Sequence, residues 1–281
     1  MKDSNVKIVV LKFDGLVHFG NTQLSDATLT FRSDTMYSAL FIEALKLGKN
    51  DEFFKMVTND ELLISDLLPW DGEAKIANID EEIDETKYGK STATDKVSLD
   101  IARGDEDNKP YTVGGFKFEE DKGLCFIAKG CDKALTLLKQ LLASLALTGI
   151  GGKKSSGYGR FDFECKTDCK LTDRVFDPTT DLAPEKAGLL TLISTALPKD
   201  DELEKALDGA KYRLIRRGGF IDSTTYTPTF VKKRNVFAFK AGSEFKKPFS
   251  GDIVIVGNKG THDVYRFLKP LFLIKEAKKH E

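Results

Sequence analysis

The stretch that decides the fold is LTGIGGKKSSGYGRF, residues 147–161. Its five glycines separate an apolar segment, residues 134–147, from an alternating segment that begins at Phe161. Glycine removes side-chain bulk and adopts positive φ at little steric cost. Lys153, Lys154 and Arg160 add positive charge, and the backbone N–H groups of such a loop offer further donors. The stretch therefore predicts a helix–loop–strand unit whose loop lets a polyanionic backbone approach closely.

Two common phosphate-binding motifs do not match this loop. A P-loop needs glycine at position 147 and Ser or Thr at position 154, where the chain has Leu147 and Lys154. The dinucleotide fingerprint needs glycine at 154 and a strand in front of the loop, where a helix is predicted instead. A nucleotide hydrolase is therefore disfavoured. A lone glycine-rich loop is more often a simple turn, but the three cations, with no acid between Gly149 and Phe161, favour RNA.

The composition is that of a soluble globular protein. The chain has 281 residues, 41% hydrophobic and 31% charged, which allows one large domain or two of ordinary size. The net charge is only −1, but the charge is uneven. Residues 71–108 hold twelve acids against five bases, and residues 211–248 hold ten bases against two acids. Such asymmetry bears on binding partners rather than on the fold.

The cysteines and the apolar segments exclude several classes. Four cysteines in 281 residues do not make a disulfide framework, and Cys165 and Cys169 lack a second pair at zinc spacing. We therefore expect reduced thiols and no metal or other cofactor. The N-terminus has no apolar signal region, and residues 134–147 are too short to cross a bilayer. A cytoplasmic protein without membrane contact is predicted.

The order of predicted elements is typical of an α+β fold. A strand at 6–13, a helix N-capped by Ser33 and ended by Gly48, a short helix at 51–57 and a strand at 62–64 come first. Strands at 111–118 and 123–127 read as a hairpin, followed by a helix at 132–147 and the strand from Phe161. This order is that of a ferredoxin-like (RRM-like) domain. Acidic residues 70–109 are predicted to be a mobile insertion outside the core.

A second, less regular cycle follows a predicted linker at 173–186. Strands are expected at 189–193, 211–216, 236–239, 253–256 and 271–274, with a short helix at 200–207. We therefore predict two ferredoxin-like domains in tandem, the second degenerate. The first spans residues 1–170 with the insertion at 70–109, and the second spans residues 187–281.

The loop also resembles a known family. GIGGKKSSGYGRF, residues 149–161, is similar to the glycine-rich loop of the CRISPR repeat-associated (RAMP) proteins. Other segments narrow the resemblance to the fourth subunit of the type III-A (Csm) effector complex. They are VHFG at 17–20, SDTMYSAL at 33–40, ISDLLP at 64–69, STALP at 194–198, GGF at 218–220 and KPLF at 269–272.

The resemblance implies a non-catalytic RNA-binding subunit of an antiviral ribonucleoprotein. Such a protein grips the 5′ tag of the CRISPR RNA and joins the large polymerase-like signalling subunit to the first backbone subunit. Family members also carry a Leu-Pro-Lys-Pro-like segment that opens a basic thumb. This chain has DGEAKI at 71–76 instead. The resemblance therefore assigns no thumb residue of this chain to RNA.

Two segments are the candidate RNA-binding sites. The glycine loop is expected to cradle phosphates, and the basic segment 216–234 is expected to add charge beside aromatic stacking surfaces such as Phe220, Tyr226 and Phe230. A solvated hairpin with ordinary core aromatics explains the second segment about equally well, and the resemblance favours RNA. The predicted RNA-binding residues are His18, Gly149, Gly151, Gly152, Lys153, Lys154, Ser155, Ser156, Gly157, Tyr158, Arg160, Arg216, Arg217, Phe220, Lys232, Lys233 and Arg234.

Two residues invite a catalytic interpretation. His18 could serve as general base in a metal-independent endoribonuclease that processes CRISPR precursor RNA. The other histidines are His262, in a different predicted domain, and His280, in the tail, so a hydrogen-bonding or RNA-contacting role is favoured. In related backbone subunits an aspartate near the position of Asp34 cuts target RNA. Here Asp34 directly follows the predicted N-cap, where a carboxylate interacts favourably with the helix dipole. We therefore expect a structural role for Asp34. A protein-interaction module without RNA affinity is the third hypothesis.

Overall fold

The computed structural model describes residues 5–20, 23–98, 109–167, 169–178, 189–221, 223, 225–227 and 231–275. The helices are α1 Ser33–Lys46, α2 Asn50–Thr58, α3 Asp132–Thr148, α4 Cys169–Thr172 and α5 Leu203–Leu207. The strands of the first part are β1 Asn5–Phe13, β2 Leu16–Val17, β3 Leu62–Ile64, β4 Leu68–Trp70, β5 Gly89–Ser98, β6 Lys109–Phe118, β7 Gly123–Gly130, β8 Phe161–Lys166 and β9 Val175–Phe176. The later strands are β10 Leu190–Leu192, β11 Leu214–Arg217, β12 Val236–Phe239, β13 Glu244–Phe245, β14 Asp252–Gly257, β15 Val264–Leu268 and β16 Phe272–Ile274.

The first sheet has the strand order of a ferredoxin-like unit. Strands β3, β7, β1 and β8 lie side by side in that order, with antiparallel pairing throughout, and β4 pairs with the end of β7. The apolar faces of α1 and α3 supply buried residues such as Met36, Leu40, Leu138 and Leu142 to the core. The predicted strand–helix–strand–strand–helix–strand order is therefore present in the first half of the chain.

The predicted hairpin at 111–118 and 123–127 is wrong. Both strands exist, as β6 and β7, but β6 pairs with β2 and β5, whereas β7 pairs with β1, β3 and β4. Each strand already has neighbours on both of its edges, so neither has a free edge for the other. Proximity in the sequence does not predict the pairing of β6 and β7, because most of their partner strands come from distant segments.

The prediction of a mobile acidic excursion is wrong for residues 70–98. Trp70, Ile79 and Tyr88 are buried, and β5 pairs with β6 over its whole length. Asp80 pairs with Lys211 and lies 3.8 Å from Arg213, so this segment packs against the basic second half. The rest of the predicted insertion, residues 99–108, lies outside the described residues.

The second half is built from short antiparallel sheets. Strands β13, β10, β16 and β9 form one sheet, and β11–β12 and β14–β15 form two-stranded sheets. Strand β9 falls within the predicted linker at 173–186, so that prediction is wrong for its first part, while residues 179–186 lie outside the described residues. Between residues 189 and 275, the described chain holds one helix, the five-residue α5. A second ferredoxin-like domain therefore stays a prediction.

The two halves share a core. The larger buried cluster includes Ile193, Phe267, Leu271 and Leu273 from the second half. The ring of Phe267 stacks on that of Tyr37 in α1 at 5.7 Å between centroids. A smaller cluster around Phe239, Phe245, Phe249 and Phe272 fills the second half itself. The predicted boundary between residues 170 and 187 stays a prediction, and apolar packing continues across it.

Within the described parts of the chain, no helix is long and apolar enough to span a bilayer. In the same parts, Cys125, Cys131 and Cys165 are free thiols, and no cluster of His, Cys, Asp or Glu is arranged to hold a metal ion.

Candidate nucleic-acid interface

The glycine loop is a tight turn that joins α3 to β8. Helix α3 ends with the amide of Gly149 donating to the carbonyl of Leu145, and Gly149 has φ +83°. A Cβ at Gly149 would lie 2.8 Å from the carbonyl oxygen of Tyr158. A Cβ at Gly159, which has φ +77°, would overlap the carbonyl oxygen of Ile150. These glycines are therefore required because the two arms of the loop touch.

The loop also packs on the segment after β1. The amide of Gly152 donates to the carbonyl of His18 at 2.8 Å, and the amide of Gly159 donates to that of Leu16 at 2.8 Å. A Cβ at Gly151 would lie 2.6 Å from the His18 carbonyl oxygen. The loop amides that we expected to face a ligand are thus partly used inside the protein. What the loop presents outward is mainly its charged and hydroxyl side chains.

The exposed part of the loop runs from residue 154 to 157. Lys154, Ser155, Ser156, Gly157 and, beyond the buried pair Tyr158–Gly159, Arg160 are exposed. Among the described residues, no acid pairs with Lys154 or Arg160. Their charges are therefore available to a polyanion.

Two aromatic rings hold cations of this region. The ammonium of Lys153 lies 5.1 Å from the ring centre of Tyr111, and that of Lys96 lies 5.4 Å from the ring centre of Tyr158. Lys153 has φ +58°, so its backbone adopts the left-handed conformation within the loop. Tyr158 is 8% exposed, so it supports the loop from beneath.

His18 is a buried residue beneath the glycine loop. It is 7% exposed, and its Nδ1–H donates to the carbonyl of Gly114 at 2.7 Å. Its ring lies so close to the loop that a Cβ on Gly152 would be 2.6 Å from Cδ2. Nδ1 must be the donor of this bond, because a carbonyl oxygen can only accept. His18 therefore positions the loop.

A cleft joins the two segments that the sequence singles out. It encloses about 1220 Å³. Gly149, Gly151, Gly152 and Lys154 of the loop line one part, and Arg216, Arg217 and Lys233 of the basic segment line another. His18 and His262 line the same cleft, so the sequence-based separation of these histidines into different regions was misleading. The imidazole of His262 is exposed, with Nε2 3.1 Å from the Ser223 hydroxyl.

The basic segment contains residues in very different environments. Arg216 is exposed, whereas Arg234 donates from Nη2 to the carbonyl of Ile255 at 3.0 Å. Phe220 is 56% exposed, with the Lys232 ammonium 5.7 Å from its ring centre. Tyr226 is buried and its hydroxyl accepts from the amide of Lys259, so it is not an available stacking surface. Phe230 lies outside the described residues.

Arg217 differs from its neighbour because it is tied to Asp34. Its guanidinium donates to both carboxylate oxygens, at 2.9 and 2.8 Å, and Arg266 donates to the same carboxylate. Arg266 also donates to the carbonyl of Gly218 at 3.0 Å. Burial alone raises the pKa of Asp34, but the two guanidinium groups outweigh it and hold that pKa below its ordinary value. Arg217 thus forms a structural ion pair that joins the two halves, and its contact with RNA stays a prediction.

The expected structural role of Asp34 is confirmed, with a different mechanism. The N-cap residue of helix α1 is Arg32 and not the predicted Ser33, which is the first residue of the helix. The amide of Ser33 donates to the carboxylate of Asp66 at 2.9 Å. The carboxylates of Asp34 and Asp66 both lie at the start of α1, where negative charge interacts favourably with the helix dipole. Their main partners, however, come from the other half of the chain.

Sequence reasoning missed the central role of Asp66. This buried carboxylate accepts from the amide of Thr195 at 2.7 Å and from its hydroxyl at 2.9 Å, in addition to the amide of Ser33. In the sequence, the segments 64–69, 194–198 and 269–272 carry only a family resemblance. Lys269 also links the two halves, because its ammonium donates to the carbonyl of Thr58 and pairs with Asp60. These motifs connect the two halves that form the cleft.

The comparisons with known proteins agree with this architecture. A model of the RAMP superfamily matches residues 17–162, which include the glycine loop. The fold and the loop thus define a RAMP-superfamily protein. A model of the CRISPR Csm4 C-terminal domain matches residues 185–274. The chain belongs to the Csm4 family, the fourth subunit of the type III-A CRISPR effector complex.

Two curated relatives are similar along almost the whole chain. The CRISPR system Cms protein Csm4 of Mycobacterium tuberculosis is 36% identical over an alignment of 309 positions, which covers 96% of this chain and 97% of the relative. Its counterpart in Streptococcus thermophilus is 30% identical and covers 96% of this chain and 99% of the relative.

Solved structures share the fold at low identity. A chain of the Csm3–Csm4 subcomplex of a type III-A interference complex superposes with a TM-score of 0.61 at 18% identity, covering 96% of this chain and 100% of that one. A chain of a Csm1–Csm4 cassette in complex with cA4 superposes with a TM-score of 0.53 at 14% identity, covering 98% and 99%.

Proposed function

We propose that this protein is a non-catalytic subunit that binds the 5′ tag of the CRISPR RNA in the cleft between its two halves. The observation that carries the proposal is the shared cleft. The two segments predicted separately from the sequence, the glycine loop and the basic segment, line the same cavity. Neither segment alone would be more than a turn or a solvated hairpin.

The chemistry of the cleft suits a single-stranded RNA backbone. Lys154 and Arg216 of the cleft lining are exposed cations without an acid partner among the described residues, and Ser155 and Ser156, next to Lys154 in the chain, add hydroxyl donors. Phosphates pair with such cations in a salt-dependent manner. Beside the cleft lining, the exposed ring of Phe220 allows stacking without sequence preference. Guide pairing would then read the target, while this protein recognises backbone and shape, as in other guided effectors.

We propose the large polymerase-like subunit and the first backbone subunit as protein partners. The similar solved chains come from structures described as a Csm3–Csm4 subcomplex and a Csm1–Csm4 cassette. Full-length coverage of those chains supports an equivalent place for this protein in its own complex.

The endoribonuclease alternative has one observation in its favour, since His18 and His262 line the same cleft. The structural role of His18 argues against an endoribonuclease. Its Nδ1–H bond to Gly114 and its burial under the loop are explained by positioning alone. General-base catalysis would also require substrate to reach a side chain that is 7% exposed.

The test is binding and cleavage of labelled precursor RNA by the purified full chain, with and without its large-subunit partner. We expect tighter binding of RNA that carries the tag than of the same RNA without it, and no cleavage. The conservative variant His18→Gln separates the alternatives, because Gln keeps a donor near Gly114. Metal-independent cleavage by the wild type that disappears in His18→Gln and His262→Ala would overturn the non-catalytic proposal.

The protein-interaction module is tested in the same assay. Combined Lys153→Ala, Lys154→Ala and Arg160→Ala replacements should weaken RNA retention. If the complex assembles and retains RNA equally well with all three replaced, the RNA-binding proposal fails.

A further inference from the structure

A two-stranded sheet next to the cleft exposes large apolar side chains. Leu214 on β11 is 52% exposed and Phe237 on β12 is 58% exposed, although both lie within regular strands. Phe239, only two residues from Phe237, is 2% exposed and packs on Phe245 and Phe249. Phe237 is therefore not a core residue, and together with Leu214 it forms an exposed apolar patch of the kind that marks interaction sites.

The exposed residues lie on one face. In an antiparallel pair, residues opposite each other point to the same side, and Arg216 is directly opposite Phe237. Leu214 lies two residues before Arg216 and so shares that face. By the same rule Phe239, opposite Leu214, belongs to this face, but Phe245 and Phe249 cover it. The open part of the face therefore presents the cation Arg216 beside the exposed side chains of Leu214 and Phe237.

The position of this face relative to the cleft is informative. All four residues of β11 line the cleft, whereas among the described residues of β12 none does. Strand β12 thus lies behind β11 as seen from the cleft. A chain that leaves the cleft across β11 reaches Phe237 next.

The charge around the face selects the kind of partner. Residues 231–240 contain Lys232, Lys233, Arg234 and Lys240 and no acid, and β11 and β12 carry no acid either. Phe220, with Lys232 beside its ring, repeats the pairing of cation and exposed aromatic. Alternating cations and exposed rings suit a phosphate backbone with unpaired bases, whereas an apolar protein surface would offer the exposed Arg216 no countercharge.

We propose that Phe237, with Arg216 and Leu214, forms a base-stacking platform that takes an unpaired RNA base at the β11 edge of the cleft. The inference rests on the proposed RNA-binding function and adds a specific subsite to it. Arg216 neutralises the phosphate next to the stacked base, and Leu214 covers its edge. The stacking residues predicted from the sequence are Phe220, Tyr226 and Phe230, and Phe237 is not among them.

The test pairs a protein variant with an altered RNA. Binding of a single-stranded RNA of about twelve nucleotides, carrying the tag, is measured for the full chain while one abasic nucleotide is moved along the RNA. We expect one abasic position to weaken wild-type binding by roughly 5- to 150-fold, the equivalent of ~1–3 kcal/mol per stacked base. Phe237→Leu should show the same loss with intact RNA and no further loss with that abasic RNA.

Control variants make the result specific. Phe237→Tyr retains a ring and should bind like the wild type. Leu203→Ala removes another exposed apolar side chain, 39% exposed on α5, and should change nothing. If Phe237→Leu binds intact RNA as tightly as the wild type, the inference is wrong. Impaired association with a partner subunit at unchanged RNA affinity would instead make this face a protein interface.

Failure of the inference can be told apart from failure of the proposed function. If wild-type protein binds no tagged RNA, alone or in its complex, the function itself is contradicted. If the wild type binds RNA and every abasic position affects Phe237→Leu as it affects the wild type, only the platform is contradicted.

Discussion

The guanidinium of Arg217 donates two hydrogen bonds to the carboxylate of Asp34, across 183 residues of chain. Asp34 begins the helix beside the first sheet, and Arg217 ends the strand that lines the cleft. Arg266 completes the cluster from a third segment. The relative position of the two cleft walls is therefore fixed by a buried charge cluster, which gives the first prediction.

Replacing Asp34 by Asn should strongly destabilise the protein. The Asp34 side chain is fully buried, so the change leaves Arg266 and Arg217 without their countercharge. Breaking a buried ion pair from one side costs ~3–5 kcal/mol in the free energy of unfolding. Urea unfolding measures this change, with Asp162→Asn, an exposed carboxylate on β8, as the control. A loss no larger than that of the control would show that the cluster does not hold the halves together.

The same cluster predicts a specific acid dependence. Because the pKa of Asp34 is lowered in the folded state from an ordinary value of 3.8, its stabilisation is present above that value and is lost as pH falls through the folded pKa. The difference in unfolding free energy between wild type and Asp34→Asn should therefore be constant from pH 7 to about pH 5 and should shrink below about pH 4. Unfolding curves at several pH values measure it. A difference that grows on acidification would contradict this assignment.

Two glycines of the loop should differ sharply in tolerance to alanine. Both have positive φ, +82° at Gly157 and +77° at Gly159, so both substitutions carry the left-handed strain of ~1–2 kcal/mol. A Cβ at Gly157 meets open space, whereas a Cβ at Gly159 would overlap the Ile150 carbonyl. Gly159→Ala should therefore cost clearly more unfolding free energy than Gly157→Ala. Equal costs would mean that the arms of the loop are not in contact.

Removing the carboxylate of Asp80 should extend the RNA-binding surface. Asp80 pairs with Lys211 and Arg213, which lie just before β11. Asp80→Ala frees these cations, so RNA affinity should rise at low salt and fall more steeply as salt is added. Asp84→Ala, on the same segment but paired locally with Thr86, is the control. An Asp80 variant with unchanged affinity and salt dependence would show that RNA does not pass Lys211.

The sequence predicted those parts of the molecule that depend on local patterns. The strand β1, the helix α3 and the glycine loop follow from β-branched residues, from helical spacing of leucines and from glycine content. The partners of β6 could not be predicted, because the residues that pair with it are set by which sheet edges remain free. Non-local pairing also explains why Arg217 was assigned to RNA, since its partner Asp34 is remote in the chain. Which aromatic rings are available for stacking depends on burial, since Tyr226 is buried whereas Phe237 is exposed.

The most direct test of the RNA-binding cleft is the salt dependence of tagged-RNA binding by the double variant Lys154→Ala/Arg216→Ala. These two cations come from the two walls, and the matched control is Lys139→Ala/Lys205→Ala, two exposed lysines outside the cleft lining. If both cleft cations contact phosphates, the slope of log affinity against log salt should decrease by about 0.7 for each of them, and the control should match the wild type. An unchanged affinity and slope in the cleft variant would contradict the account.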